Sequence, residues 1–363
     1  MENLTEKETR KLASIELISG VNSIEKADSL EVVTIKGWEV VTKKNEFKFG
    51  DKCVYVEIDA ILPALDIFEF LKPRNYRIKI IKLRGQISYG ICFPLEILKN
   101  FDSNFNEQNY IVGMDVTELM QIKKYIAPET QMTAEAKGNF PSFIHKTDEE
   151  RVQNLTGLLN KINTENLFTK DDIFITEKID GSSFTCFYVK DNIGNTLSNT
   201  FGVCSRNLNL KEGNNKFWNT AVKYDLENKL KKYSEENNMS IAIQGEMYGQ
   251  GIQSNKYNLN EINLVVFNVF NITNQTYFNY VDLLSFCKAL ELPTVPFLDI
   301  PNDFVFDTKY LLNLSEIKST LNKNTWAEGI IIRSKNEVDD LRGTHCGRMS
   351  FKVINPNFLL AEK

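Results

Sequence analysis

Four charged side chains stand in or beside runs that otherwise read as buried β-strands. They are Lys178 in FITEKIDGSSF, Glu246 in SIAIQGEMYG, Glu328 in AEGIIIRS and Lys352 in MSFKVIN. A buried charge is costly unless it is paired, so these strands must bring their charges together, or bring them to bound charges, in a shared cleft. Taken singly, each residue has a plainer reading. Lys178 reads as a solvated hairpin residue, and Glu246 and Glu328 read as strand-end salt-bridge partners.

The rest of the chain sets the frame around those strands. Its 363 residues, 42% hydrophobic and 25% charged, suit a globular chain of two or three domains. LEVVTIKGWEVVTKK and KCVYVEIDAILP are rich in β-branched and aromatic residues and are broken by Gly37 and FKFGD. YRIKIIKLRG alternates Arg77 and Lys79 with Ile78 and Ile80, then sets Ile81 beside Ile80. That reset predicts a β-bulge. Short strands of this kind predict an OB-like barrel over residues 1–118.

Weak patterning over 119–140 predicts a linker, and a second domain is expected over 141–363. KTDEERVQNLTGLLNKI predicts a helix capped by Thr147 and Glu150. Then come the run holding Lys178, read as a hairpin, and a helix from Phe217 to Tyr233. Two strands, two further helices (near 280–290 and 307–321) and two last strands complete the order. The fold class is α+β, with antiparallel sheets flanked by helices.

Several functions are disfavoured by composition. A net charge of −5 does not suit a chain coated in positive charge for indiscriminate nucleic-acid binding. Six cysteines without a C-x-x-C, and only His145 and His345, disfavour zinc ribbons, disulfide frameworks and histidine catalysis. The charged start MENLTEKETR and the lack of long apolar runs predict an intracellular protein, cytoplasmic or nuclear, with no membrane partner.

Lys178-Ile179-Asp180-Gly181 is weak evidence alone, and its company downstream gives it weight. EKIDG, SRN at 205–207, QGEMYGQGIQ, VFNVFNI, AEGIIIRS and FKVIN follow in order. As a set they resemble the motifs of covalent nucleotidyltransferases, the superfamily of ATP-dependent polynucleotide ligases and capping enzymes. GEMYGQGIQ and AEG are similar to the RNA ligase forms. ADSLEVVTIKGWEVVTKKNEFKFGD, VYVEIDAILP and RGQISYGICFP resemble the N-terminal OB-like domain of one RNA ligase family. The resemblance runs from about residue 12 to 358. DNA ligases and capping enzymes place their barrel after the last motif. The few residues after Lys352 predict a barrel-first order instead.

The resemblance implies an ATP-dependent RNA ligase with ATP and Mg²⁺ or Mn²⁺ as cofactors, acting as a monomer on RNA nicks or ends. Lys178 would attack the α-phosphorus and carry AMP, passing it to a 5′-phosphate that a 3′-hydroxyl then attacks. Such a lysine needs a lowered pKa, from dry surroundings and from positive charge on a metal or on Lys352. Glu177 would read the adenine edge, with Ile179 beside it in the nucleotide site. Phe270 would stack on the base in preference to Phe267, since period-2 alternation puts the two on opposite faces. Arg206 and Glu246 would bind ribose. Asp180, Glu246 and Glu328 would hold the metal through waters.

Lys352, supported by Arg333, would neutralise the α-phosphate. Lys-Val-Ile replaces the common Lys-x-Lys here, so one phosphate-binding cation is absent or comes from elsewhere. Arg151 and Gln153 read either as a helix's polar face or as triphosphate or RNA contacts. Arg77, Lys79, Lys82 and Arg84 read as a solvated strand face or a phosphate-tracking surface. Gly181 is expected to allow a tight turn. A DNA ligase, a GTP-dependent capping enzyme and an inactive RNA-end-binding protein are the alternatives.

Overall fold

The computed structural model describes residues 11–125, 135–194, 196–338 and 348–361. His345, Cys346 and residues 126–134 of the expected linker lie outside them. The described residues form two compact units, divided between 125 and 135. No helix among them is long and apolar enough to cross a membrane.

In the first unit, β1 (Ala13–Ser23), β2 (Leu30–Ile35), β3 (Trp38–Lys43), β4 (Lys52–Val56) and β8 (Ile91–Pro94) make a curled antiparallel sheet. Its order is β3-β2-β1-β4-β8. The short pairs β5 (Ala60–Ile61) with β9 (Lys123–Lys124), and β6 (Ile81–Leu83) with β7 (Gln86–Ser88), flank it. Period 2 buries both faces. Val54 and Val56 join one apolar cluster, while Cys53 and Tyr55 join another with Trp38 and Val40. Ile15 and Ile18 take opposite faces by the same alternation, and a register shift between Ile18 and Gly20 then resets it, so that Val21 packs on the second cluster with Ile18.

YRIKIIKLRG is not one bulged strand. Arg77 forms an isolated bridge with Ile61, and β6 begins only at Ile81. β6 and β7 meet through a two-residue turn, Arg84 and Gly85, with φ of 50° and 89°. Two successive positive φ angles match the twist of a right-handed hairpin.

The second unit has two sheets. The larger comprises β10 (Ala136–Asn139), β13 (Ser182–Val189), β14 (Thr200–Cys204), β15 (Leu208–Leu210), β16 (Ile241–Gly249), β17 (Ile262–Asn271) and β18 (Thr276–Tyr277), in the order β10-β15-β14-β13-β16-β17-β18. The smaller comprises β11 (Glu150–Arg151), β12 (Ile173–Lys178), β19 (Phe297–Leu298), β20 (Gly329–Ser334) and β21 (Ser350–Ile354), in the order β11-β21-β20-β12-β19.

Helices cover one face of each sheet. α2 (Lys216–Lys223), α3 (Leu226–Asn237) and α4 (Tyr280–Ala289) place Phe217, Leu230 and Phe286 against Ile241, Ile243 and Met247. α1 (Thr156–Glu165) and α5 (Thr308–Leu314) place Leu159 and Leu311 against Ile175, Ile332 and Val353. A short α6 (Pro356–Ala361) follows β21.

Three further expectations are corrected. The predicted single helix 217–233 is two, broken at Asp225 in the left-handed region. The helix expected from Thr147 starts at Thr156. Thr147 instead shares a hydrogen bond with Ser183, and Glu150 accepts from Arg151 N–H and Asn154. The third concerns Lys178. β12 and β13 are not a hairpin, because β12 pairs with β19 and β20 while β13 pairs with β14 and β16. Residues 179–181 cross from one sheet to the other.

Candidate active site

A cleft lies between the uncovered faces of the two sheets of the second unit. Alternation along β12 sends Ile173 and Ile175 to the helix-covered core, so Thr176 and Lys178 face the cleft. By the same rule Ile331 and Arg333 face it from β20, while Phe351 and Val353 of β21 point to the core and leave Lys352 on the cleft side. Registry aligns Thr176, Ile331 and Lys352 in one cross-strand row. Across the gap, β16 sends Ile243 and Met247 to its own core and Glu246 inward.

Lys178 thus sits where the chain leaves one sheet for the other. Its Nζ donates to Glu328 Oε2 at 2.7 Å. Burial pulls its pKa down, but Glu328, Glu246 and Asp180 outweigh burial and raise it above the ordinary lysine value. The expected lowered pKa is therefore not met in this state. Burial lifts Glu246 to about 8 against the pull of Lys178. Burial, Arg151 and Lys178 lower Lys352 to about 8.

Glu328 is held by Asn355, whose backbone N–H donates to Glu328 O and whose side chain donates to Ala327 O. Gly181 is needed for close approach rather than for a turn. A Cβ there would lie 2.2 Å from Met247 O.

Glu177 and Ile179 also line the cleft, but other contacts engage their side chains. Alternation turns the Glu177 side chain away from that of Lys178, although both residues border the cleft. The Glu177 carboxylate accepts from Ser319 Oγ (2.5 Å), Thr320 N–H (2.8 Å) and Thr320 Oγ1 (2.5 Å). Ile179 is buried in an apolar cluster with Tyr257, Val265 and Val295, and Phe267 packs against that cluster.

Phe270 is away from the cleft, fully buried against Ile144, Phe187 and Ala242, with His145 and Tyr277 rings 5.3 and 4.8 Å off. Phe267 lines the cleft instead. The reason is a β-bulge. Gln244 pairs with Asn268 and Gly245 with Val266, so Phe267 is the extra residue and the alternation resets. Both rings leave the helix-covered face, at different heights.

Arg333 lines the cleft with its guanidinium engaged. It donates to Ser350 Oγ, Phe267 O, Asn268 Oδ1 and Glu149 Oε1. It fixes the bulge rather than offering a cation to phosphate. Burial pushes Glu149 up, but Arg333 and Arg348 outweigh it and hold Glu149 below the usual carboxylate range.

Arg206 is exposed and pairs with Asp148 at 2.5 Å. Arg151 lies beside Lys352 through the parallel pairing of β11 with β21. It is therefore not on a helix face, the first of the two places the sequence allowed. Gln153 is buried in the short 3₁₀ turn that follows. In the first unit Arg77 pairs with Asp59 at 2.6 Å and stacks on Tyr125, Lys79 is half-buried, and Lys82 and Arg84 are exposed.

Sequence reasoning missed Glu149, the Ser319–Thr320 segment and Lys256, whose Nζ lies 3.1 Å from Asp180 Oδ2. The Asn- and Gly-rich stretch around Lys256 signals a turn, but nothing in it signals where the lysine would land.

Among the described residues no three acidic, thiol or imidazole groups stand close enough to chelate an ion directly. Asp180, Glu246 and Glu328 all bear electrostatically on Lys178. That all-oxygen set at wider spacing fits a hard divalent ion that keeps its waters.

Comparison with known proteins adds to this geometry. A family model described as RNA ligase matches residues 171–354, and an OB-fold domain model matches residues 12–95. A solved structure titled as Naegleria gruberi RNA ligase with PPi is 31% identical, with a TM-score of 0.78, covering 98% of this chain and 99% of its own. A variant of that ligase with ATP and Mn is also 31% identical, at TM-score 0.78, covering 96% and 98%. Another, with AMP and Mn, is 31% identical at TM-score 0.77, covering 96% and 98%. A comparison with curated proteins found no match.

Proposed function

This chain belongs to the RNA ligase family, and from that premise we propose that it seals RNA by moving AMP from ATP to Lys178 and on to a 5′-phosphate. The observation that carries this reading is the meeting of Lys178, Glu246 and Glu328 with Lys352 in one cleft between two sheets.

Lys178 Nζ attacks the α-phosphorus, a P–N bond forms, and the bond to the β-phosphate oxygen breaks with release of pyrophosphate. A 5′-phosphate oxygen of RNA then attacks the same phosphorus and restores the lysine. The 3′-hydroxyl attacks the adenylylated 5′-phosphate, and AMP leaves. A divalent ion held through waters by Asp180, Glu246 and Glu328 supplies positive charge that offsets the carboxylates keeping Lys178 protonated. Relatives solved with ATP and Mn support both cofactors.

Lys352 faces the α-phosphate in this reading. Arg151, its strand neighbour, supplies the second cation that Lys-Val-Ile lacks. The adenine ring lies on Phe267 at the apolar end of the cleft near Ile179 and Val295. Arg206 approaches the ribose after leaving Asp148. Lys82 and Arg84 contact RNA phosphates. The domain limits 1–118 and 141–363 are part of this reading, supported by the spans of the two family models. So is an intracellular monomer. Buried free thiols at Cys53, Cys92, Cys186, Cys204 and Cys287 support a reducing compartment, and gel filtration tests the oligomeric state.

The test is self-labelling. Enzyme stripped with pyrophosphate is mixed with α-labelled ATP or GTP and divalent metal, beside Lys178→Ala. Acid-labile label from ATP alone, absent in the variant, is expected. Label from GTP alone would move the chain to the capping enzymes. No label would leave the end-binding reading.

A further inference from the structure

We propose that Lys256 is a built-in cation that occupies the Asp180 carboxylate until a divalent ion displaces it, and so sets the enzyme's affinity for that ion. The inference rests on the assignment of Asp180 to metal binding made above.

Lys256 is not a surface lysine that happens to reach a neighbour. Its ammonium is 3.1 Å from Asp180 Oδ2, and both side chains are largely shielded, at 24% and 17% exposure. The segment that carries it is tied to the Lys178–Gly181 crossing. Asp180 N–H donates to Tyr257 Oη at 2.7 Å, and Gln253 Nε2 donates to Gly181 O at 3.1 Å. Asn322 Nδ2 donates to Lys256 O at 2.9 Å, which fixes the backbone from the other side. The ammonium is therefore delivered to Asp180 by a braced loop, at little cost in ordering.

The ammonium makes a second contact at the same time, one it can keep when Asp180 turns to another cation. Lys256 Nζ lies 3.5 Å from the centroid of the Phe358 ring on α6. A buried aromatic face stabilises an ammonium without supplying a negative charge. The charge arrangement is thus two cation–anion pairs, Lys178 with Glu328 and Lys256 with Asp180. Of the two lysines, only Lys256 has no covalent task in the reaction. An incoming ion meets a carboxylate that is aimed but already paired, so its binding is weakened by the exchange.

The experiment uses full-length, AMP-stripped enzyme without nucleotide and follows free Mn²⁺ by electron paramagnetic resonance. Lys256→Met keeps the apolar stem on Phe358 and removes the charge. Its Mn²⁺ Kd is expected to fall about tenfold, as loss of a unit charge a few ångströms from the ion requires. Phe358→Leu keeps the packing and removes the ring's hold on the ammonium, and its Kd is expected to rise. Unchanged or weaker binding by Lys256→Met overturns the proposal. Asp180→Asn separates the two levels of inference. If it leaves Mn²⁺ binding intact, the metal role of Asp180 falls, and the Lys256 proposal falls with it. If it weakens binding while Lys256→Met fails to tighten it, only the Lys256 proposal falls.

Discussion

Phe267 and Phe270 are three residues apart and carry different duties. Phe270 fills a closed apolar cluster, so Phe270→Ala should cost about 3–5 kcal/mol of stability, read as a lowered melting temperature. Phe267 borders open space in the cleft, so Phe267→Ala should melt nearly as wild type. Its KM for ATP should rise about tenfold or more, the scale of one lost base–aromatic stack. The opposite pattern would return the stacking role to Phe270. Lys352 offers a pH test. Its pKa of about 8 lies below the ordinary lysine value, so it is charged below that pH and neutral above it. Affinity for ATP in the presence of EDTA, measured by calorimetry, should therefore fall between pH 8 and 9. Lys352→Arg should flatten the curve, because guanidinium stays charged. A flat wild-type curve would remove Lys352 from the phosphate face.

At the scale of elements, the β6–β7 hairpin separates turn chemistry from charge. Arg84 adopts φ 50° at the tip, a conformation that Asn tolerates better than Arg. Arg84→Asn should hold or slightly raise the melting temperature. If Arg84 contacts a phosphate, the same change should reduce the salt dependence of RNA binding by about one ion. An unchanged slope with unchanged affinity would make the tip a solvated turn. The crossing at 179–181 works at this scale too. It places the nucleophile between two sheets that are each braced by helices on the far side, so the cleft walls are strands rather than mobile loops.

At the scale of the molecule, the second unit holds the whole cleft and two helix-backed cores of its own. A fragment spanning 130–363 should fold cooperatively and label itself with AMP at a rate within about tenfold of the full chain, ~1.4 kcal/mol in barrier. It should seal nicked RNA far more poorly, since the exposed cations of the first unit are gone. Labelling and gel-based sealing on one preparation would check this. Equal sealing would take the first unit out of RNA binding.

How much of this was legible beforehand differs by level. The order of motifs, their strand character and the need for Lys178, Glu246, Glu328 and Lys352 to converge were all present in the sequence, because apolar runs and misplaced charges are local signals. Period 2 also turns the Glu177 side chain away from that of Lys178, although both residues border the cleft. The bulge at Phe267 was not readable, since it depends on how β17 registers with β16 rather than on β17 alone. Nor was the passage of residues 179–181 between sheets, the seating of Arg151 beside Lys352, or the arrival of Lys256 at Asp180. Sequence alone determined which residues carry charge into the core and which family's chemistry they can perform. Only the tertiary structure decided which of them meet, because partners on other strands and loops set register, sheet membership and ion pairing.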